Sequence, residues 1–279
     1  MTEKVNIISA ELDPRFYQLD VDRIVVEIPK QQIITTTKGT WVSIKYRFVD
    51  GQQPLSLNIQ TSELFSNGLY KHNEEEKCPI KFSLIMTNRS SKQESFSKEQ
   101  SETEKENSKV EEKTIQIFEE ITEKIKKEML KSEMVNALQK SKDKTWKNKV
   151  ETMEILKTQE KENNEYQTFF LNAKLSNISW FQTKFFKLNE KNELTYLNFE
   201  ETKNNFLQNK TKCHAVALVT IDSIFVGKEP YIQTKLKQAI FTKMKNFSNN
   251  EPEGIVPSRI ANKTIVESSE SDDTSEDET

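Results

Sequence analysis

The chain has 279 residues, with 41 Lys+Arg against 44 Asp+Glu, a formal net charge of −3, and 34% hydrophobic residues that include 16 Phe. That length holds one large or two small domains, and the apolar content is enough for one core, while 30% charged residues keep much of the chain outside it. Five glycines leave little to build dinucleotide folds or phosphate loops from, and two distant cysteines without a CxxC partner fit buried thiols in a reducing compartment better than a disulfide framework.

The segment 1–22 reads as an N-terminal arm. From Arg23 to Thr87 the pattern is β, with Arg23 to Ile28 and Trp41 to Val49 as β-branched and aromatic runs separated by Lys38-Gly39. Asp50-Gly51 then predicts a hairpin turn. Leu55 to Thr61 alternates strictly, and Ile80 to Met86 does so for most of its length, as half-buried strands do. Residues 89–113 are charged, with Phe96 and Val110 as the large apolar residues, and read as a disordered insertion. Thr114 is placed to cap a helix over 114–139, in which Ile117, Phe118, Ile121, Ile125 and Met129 recur at helical spacing on one packing face. A second charged connector spans 140–164.

The β pattern returns at Thr168 to Leu175, Trp180 to Leu188 and Glu193 to Leu197, with a turn at Asn189 to Asn192. A short helix over Phe199 to Gln208 precedes the longest strand-like run, Lys212 to Val226, which turns back at Gly227 to Pro230 into Tyr231 to Phe241. Many short strands with one principal helix predict a mainly β fold, a Greek-key barrel or sandwich with a peripheral helix over 23–245.

No catalytic constellation stands out, and the expectation is a protein that is not an enzyme. Gly227-Lys228 carries the last letters of a phosphate loop, but Asp222 stands where its first glycine belongs. Cys78, Cys213, His72 and His214 lack the local pairing of a zinc site, so neither a metal nor a cofactor is expected. There is no basic-then-apolar leader at the start and no apolar run near the roughly 20 residues of a membrane span, which predicts a soluble intracellular protein without a membrane partner.

The segment 246–279 reads as a disordered tail, acidic from 267. Seven of the 44 acids lie there as Glu267, Glu270, Asp272, Asp273, Glu276, Asp277 and Glu278, leaving 37 acids against all 41 bases in the preceding 266 residues. A mildly basic body is thus tethered to its own polyanion, which either competes for the basic surface, is handed to a partner, or confers solubility.

Strand period two places Trp41, Lys45 and Arg47 on one face of the second run, opposite Val42, Ile44, Tyr46 and Phe48. In the last strand Tyr231, Gln233, Lys235 and Lys237 face one way, and Ile232, Leu236 and Ile240 the other. Phe170 with Lys174, and Lys184 with Phe186, form further aromatic and basic pairs. Aromatics beside cations suit single-stranded nucleic acid, because every base has a face to stack and every linkage a charge to neutralise. Phe170, Trp180, Phe185 and Phe186 each also fit core packing.

The order of features resembles a family, the single-stranded DNA-binding proteins of nucleocytoplasmic large DNA viruses, which are similar to the replication SSB of short-tailed phages. The residues that carry the resemblance are Pro54 to Thr61 followed by Asn67-Gly68-Leu69, Ile80 to Met86, and the helix from Thr114. Farther on come Phe186 to Leu194, Lys210-Thr211-Lys212-Cys213, Ile221 to Phe225 and Lys235 to Gln238. The family's Gly-Lys-Phe-Gly motif is Gly227-Lys228-Glu229-Pro230 here, and Thr234 stands at its Trp position, which moves the stacking role to Tyr231. The resemblance implies an OB-fold barrel, sequence-independent binding of single-stranded DNA in viral replication and recombination, and a tail that contacts replication proteins and occupies the DNA groove. It implies a place at the viral replication site in the host cytoplasm or in the nucleus. A homodimer is compatible with the sequence. The alternative is an acidic-tailed interaction or assembly factor, such as a histone-binding protein.

Overall fold

In the computed structural model the described residues are 7–9, 24–27, 33–36, 39–43, 45–48, 57–73, 75, 78–88, 102–131, 146–159, 167–178, 181–226 and 229–245. They form thirteen strands and three helices. The first strands are β1 (Ile7–Ser9), β2 (Ile24–Glu27), β3 (Ile33–Thr36), β4 (Gly39–Ser43), β5 (Lys45–Phe48), β6 (Leu57–Tyr70) and β7 (Lys81–Asn88). Helix α1 (Glu102–Lys131) and the short α2 (Trp146–Glu151) follow, then β8 (Leu156–Gln159), β9 (Gln167–Leu175), β10 (Lys184–Leu188) and β11 (Leu194–Leu197). Helix α3 (Phe199–Asn209) leads into the two longest strands, β12 (Lys212–Val226) and β13 (Tyr231–Lys245).

The fold is mainly β, and its sheet closes on itself. Strands β13, β9, β7, β6 and β12 are hydrogen-bonded in that order, and β12 pairs with β13 to complete a five-stranded ring. Closure removes the open edges that a sheet of this size otherwise exposes. Strands β10 and β11 extend from β13, β4 and β3 extend from β12, and β2 with β5 forms a separate two-stranded sheet.

Alternation along the ring strands builds the core. Phe82, Leu84 and Met86 of β7, Phe169, Leu171, Ala173 and Leu175 of β9, and Ala215, Ala217, Val219 and Ile221 of β12 are all buried in one cluster. Phe241 joins the far end of the barrel to α3, stacking on Phe206 at 4.9 Å and on Phe185 at 5.6 Å, with Phe185 in turn stacked on Phe199 at 5.8 Å. Helix α3 starts where Asn198 Oδ1 accepts the Glu201 N–H at 3.1 Å, which satisfies one of the orphan donors of its first turn. Beside it, Gly68 sits in β6 at φ +80°, and a Cβ there would overlap the carbonyl oxygen of Thr211. The position therefore takes glycine for both its dihedral and its lack of a side chain.

Several sequence expectations are corrected. Helix α1 begins at Glu102, so residues 102–113 are helical and not a disordered insertion; Thr114 lies inside the helix, its hydroxyl donating to the Val110 carbonyl at 2.8 Å. The polar segment is held because Glu111 accepts the Thr87 N–H at 2.9 Å, tying the early turns to β7. The stripe Ile117, Phe118, Ile121, Ile125 and Met129 is buried as expected; residues 89–101 and 132–139 lie outside the described ones. The connector 140–164 contains α2 and β8, with Val150, Met153, Ile155 and Leu156 in the core.

The run from Trp41 to Val49 is two strands: β4 joins the large sheet through β3 and β12, and β5 pairs with β2. The strand β5 is paired with β2 and not with β6, and the expected turn at Asp50-Gly51 lies outside the described residues. In β13 the face assignment fails beyond Leu236. The register against β12 passes from Leu236 to Gln238 while β12 advances by one residue, so Lys237 is the extra residue of a β-bulge. The bulge reverses the alternation: Ile232, Leu236, Ala239 and Phe241 enter the core cluster, and Ile240, although buried, does not.

Candidate nucleic-acid interface

The outer wall of the ring is organised by register into rows that run across the strands. Lys81 on β7 lies directly opposite Lys174 on β9, which lies directly opposite Lys235 on β13. Neighbouring strands are about 4.8 Å apart, so these three positions span roughly 10 Å. Thr220 of β12 continues the row beside Lys235, and its hydroxyl donates to Asn58 Oδ1 at 2.7 Å. Each lysine is half-buried, and its neighbours in sequence, Phe82, Ala173, Leu175 and Leu236, turn into the core.

Two more basic groups act on Lys81. Lys157 of β8 lies opposite Phe170 on β9, which is four residues before Lys174, and His72 Nε2 is 3.3 Å from Lys81 Nζ. Burial, then the charges of Lys157 and Lys174, push the Lys81 ammonium below its usual range, with the Cys78 thiol opposing them. Lys81 likewise depresses His72, with burial and Lys157 adding to the effect. Like charges held directly opposite one another destabilise a sheet.

One step up the wall, about 7 Å along the strands, the row is neutral and polar. Gln233 pairs with Ser223 across β12, and the Thr234 hydroxyl donates to the Asn172 carbonyl at 3.0 Å, holding β13 to β9 at that level. The next row is aromatic. Tyr231 is opposite Phe225, their rings tilted at 5.2 Å, and the register places Trp41 opposite Phe225 on β4. Tyr231 remains 45% exposed, and burial of the remainder raises its hydroxyl pKa. A ring braced by a cross-strand neighbour and nearly half exposed is one on which a base can stack.

Lys174, Lys235 and Tyr231 are thus brought onto one wall, with Phe170 half-buried four residues before Lys174. Lys237 occupies the bulge just beyond Lys235. Lys184 and Phe186 lie farther along β13, opposite Gln238 and Ile240, and Phe186 meets Tyr196 edge-on at 5.7 Å. Trp41 is in the large sheet, whereas Lys45 and Arg47 are in the small one, so the three do not share a continuous strand face. The side chains of Trp41, Lys45 and Arg47, together with Trp180 and the tail residues from Glu267 to Glu278, lie outside the described residues.

The strands that follow β1 begin just after residue 22, as does a family match. A model described as a protein of unknown function, DUF2738, matches residues 22–279. The chain belongs to the DUF2738 family. The match spans every strand from β2 onward, so the whole ring and its basic row belong to the shared region. No curated protein matches the DUF2738 chain.

Lys81, Lys157, His72 and the exposed Phe181 were missed by sequence reasoning. Lys81 was legible: in an alternating strand whose even positions are Phe82, Leu84 and Met86, it must stand on the outer face. Lys157 was hidden in what reads as a connector. Phe181, 56% exposed, sits in the loop between β9 and β10; Thr183 pins this loop by donating to the Leu236 carbonyl at 2.7 Å, next to Lys235. Among the described residues no cluster of His, Cys, Asp and Glu is arranged to hold a metal, and no helix is long and apolar enough to cross a membrane.

Proposed function

We propose that this DUF2738 protein binds single-stranded DNA without sequence preference, on the outer wall of an OB-like barrel, as a non-enzymatic component of viral DNA replication and recombination. The observation that carries the reading is the row Lys81, Lys174 and Lys235, in direct register across three strands, lying two same-face steps from the half-open Tyr231 ring. Lysines neutralise phosphates at any sequence, and an aromatic face accepts any base. Between them the half-buried Asn172 carries an amide with both donors and an acceptor, which does not select one base. A five-stranded closed ring is the strand count of an OB barrel, a fold used repeatedly for single strands.

Lys174, Lys235, Tyr231, Phe170 and Lys237 are the residues assigned to the groove, with Lys184 and Phe186 at its far end along β13. The acidic stretch from Glu267 to Glu278 is assigned to replication partners and to competition with DNA for the basic row. Ultraviolet cross-linking to an iodouracil-containing oligonucleotide, with peptide mapping, tests the placement. Cross-links in the peptides that carry Phe170, Phe181 and Tyr231 are expected. Cross-links confined to α1, on the other side of β7, would overturn it. Basic proteins retained in preference to DNA, through residues 267–279, would instead favour an assembly factor.

A further inference from the structure

Tyr70 and Lys81 are directly opposite on β6 and β7, and one side chain touches both. His72, just past the end of β6, meets the Tyr70 ring edge-on, with centroids 5.4 Å apart at 88°, and its Nε2 lies 3.3 Å from Lys81 Nζ. An ammonium can only donate, so Nε2 accepts and the imidazole proton sits on Nδ1. His72 is exposed and Lys81 partly exposed, which leaves their contact open to a small reagent. The other titratable groups acting on Lys81 come from separate segments: Lys157 from β8, Lys174 from β9, and Cys78 from the stretch before β7. Burial and the two lysines hold its ammonium below the ordinary range, with the Cys78 thiol opposing them. Lys81, burial and Lys157 lower His72 in turn, which keeps its imidazole neutral near neutral pH, and burial keeps the Tyr70 hydroxyl protonated. A partly desolvated amine, in reach of a base that a third side chain orients, is the arrangement of an activated nucleophile.

We propose that Lys81 is a modification site, an amine that takes the acyl group of a small activated donor, an acyl phosphate or a thioester, with His72 as its base. The amine nitrogen attacks the acyl carbon and forms the C–N bond, and the C–O or C–S bond to the leaving group breaks. His72 Nε2 accepts the proton that the nitrogen sheds and passes it to the departing phosphate or thiolate. An amide, the protonated leaving group and a neutral imidazole remain, and nothing is oxidised or reduced. Tyr70 positions the imidazole. The consequence for binding rests on the single-stranded DNA reading: acylation removes the charge of Lys81, and one phosphate contact of the row goes with it.

The test treats the full chain near neutral pH with limiting acetyl phosphate or, separately, with an acetyl thioester, and follows the acetylated peptides by mass spectrometry. Lys81 is expected to be acetylated ahead of the exposed Lys157 of β8 by one reagent or both, and the reagent that does so identifies the donor class. His72→Gln keeps an acceptor for the ammonium but no base. It is expected to slow Lys81 by roughly tenfold or more with Lys157 unchanged, and to remove the fall in rate that protonation of the imidazole imposes at acid pH. Lys81 labelled no faster than Lys157 by both reagents overturns the inference, as does a His72→Gln protein labelled like the parent. Anisotropy then separates this inference from the reading it extends: protein acetylated at Lys81 is expected to bind a single strand about five- to tenfold more weakly. Fast labelling of Lys81 with strand affinity unchanged, or with no strand bound at all, leaves the modification site standing and overturns the single-strand role of this lysine.

Discussion

Replacing Lys81 by Gln separates the two roles assigned to the basic row. In the unliganded protein Lys81 faces Lys174 directly and feels Lys157, and its ammonium is partly desolvated. A directly opposed like-charge pair costs roughly 0.2 to 1 kcal/mol. Half-exposure and salt hold the combined relief to about 1 kcal/mol. For a chain of this size that raises the Tm by about 2 to 4 °C. The pH dependence has a definite sign. The folded-state pKa lies below the ordinary lysine value of 10.5, so the unfolded chain holds the proton more tightly and the penalty is in force at neutral pH. It fades as the pH rises from the depressed value through 10.5, and the advantage of the variant fades with it. Binding moves the opposite way: losing one phosphate contact weakens single-stranded DNA by about five- to tenfold and lowers the salt slope by roughly 0.7. Differential scanning fluorimetry from pH 7 to 10.5 and anisotropy at three salt concentrations measure both. A Lys81→Gln protein that melts lower and binds unchanged would falsify the assignment of the row to an anionic ligand.

Tyr231→Ala removes a half-exposed ring, so it is expected to lower single-stranded DNA affinity by an amount equivalent to about 1 to 3 kcal/mol while leaving the Tm within a few degrees; anisotropy and fluorimetry on one preparation decide this. Gly68→Ala forces a left-handed dihedral on a side-chain residue and a Cβ onto the Thr211 carbonyl, and is expected to destabilise by about 2 to 4 kcal/mol in urea unfolding. A neutral result there would mean that the bulge relaxes freely. Cys213 is buried and its thiol is pushed up to about 12, so Ellman's reagent at pH 8 should leave it unmodified in the native protein and label it after denaturation, while the half-buried Cys78 reacts first. Because the unfolded thiol ionises near 9.0 and the folded one does not until about 12, this residue's contribution to stability is complete below 9.0 and is lost as the pH rises through that window.

Much of the barrel was legible because ring strands have one buried and one outer face. The alternation in Ile80 to Met86 and Thr168 to Leu175, and the length of Lys212 to Val226, yield β7, β9 and β12 almost to the residue. Asn67-Gly68-Leu69, notable in the sequence only as a motif, proves to be the bulge where α3's end presses on β6. Pairing between distant strands was not legible. Lys81, Lys174 and Lys235 are far apart in sequence, and only register makes them neighbours. The Lys237 bulge likewise leaves no compositional trace, so the period-two reading continued past it and put Ile240 on the wrong face. Charge misled the reading of 102–113 and of 140–164. A high charge density argues against burial, yet one face of α1 and the segment around Leu156 bury enough apolar surface to be placed.

If the Lys81, Lys174 and Lys235 row with Tyr231 serves a single strand, affinity must depend on salt in the way its phosphate contacts dictate. Full-length protein is titrated into a labelled 30-mer single strand and into the matching duplex, from low to physiological salt and above. Tighter binding of the single strand is expected at every salt concentration, with a log–log slope of about −0.7 for each phosphate contacted. Residual single-strand affinity at high salt, from stacking on Tyr231, is predicted to outlast that of the duplex. Equal affinity for the two, or no binding to either, would contradict it.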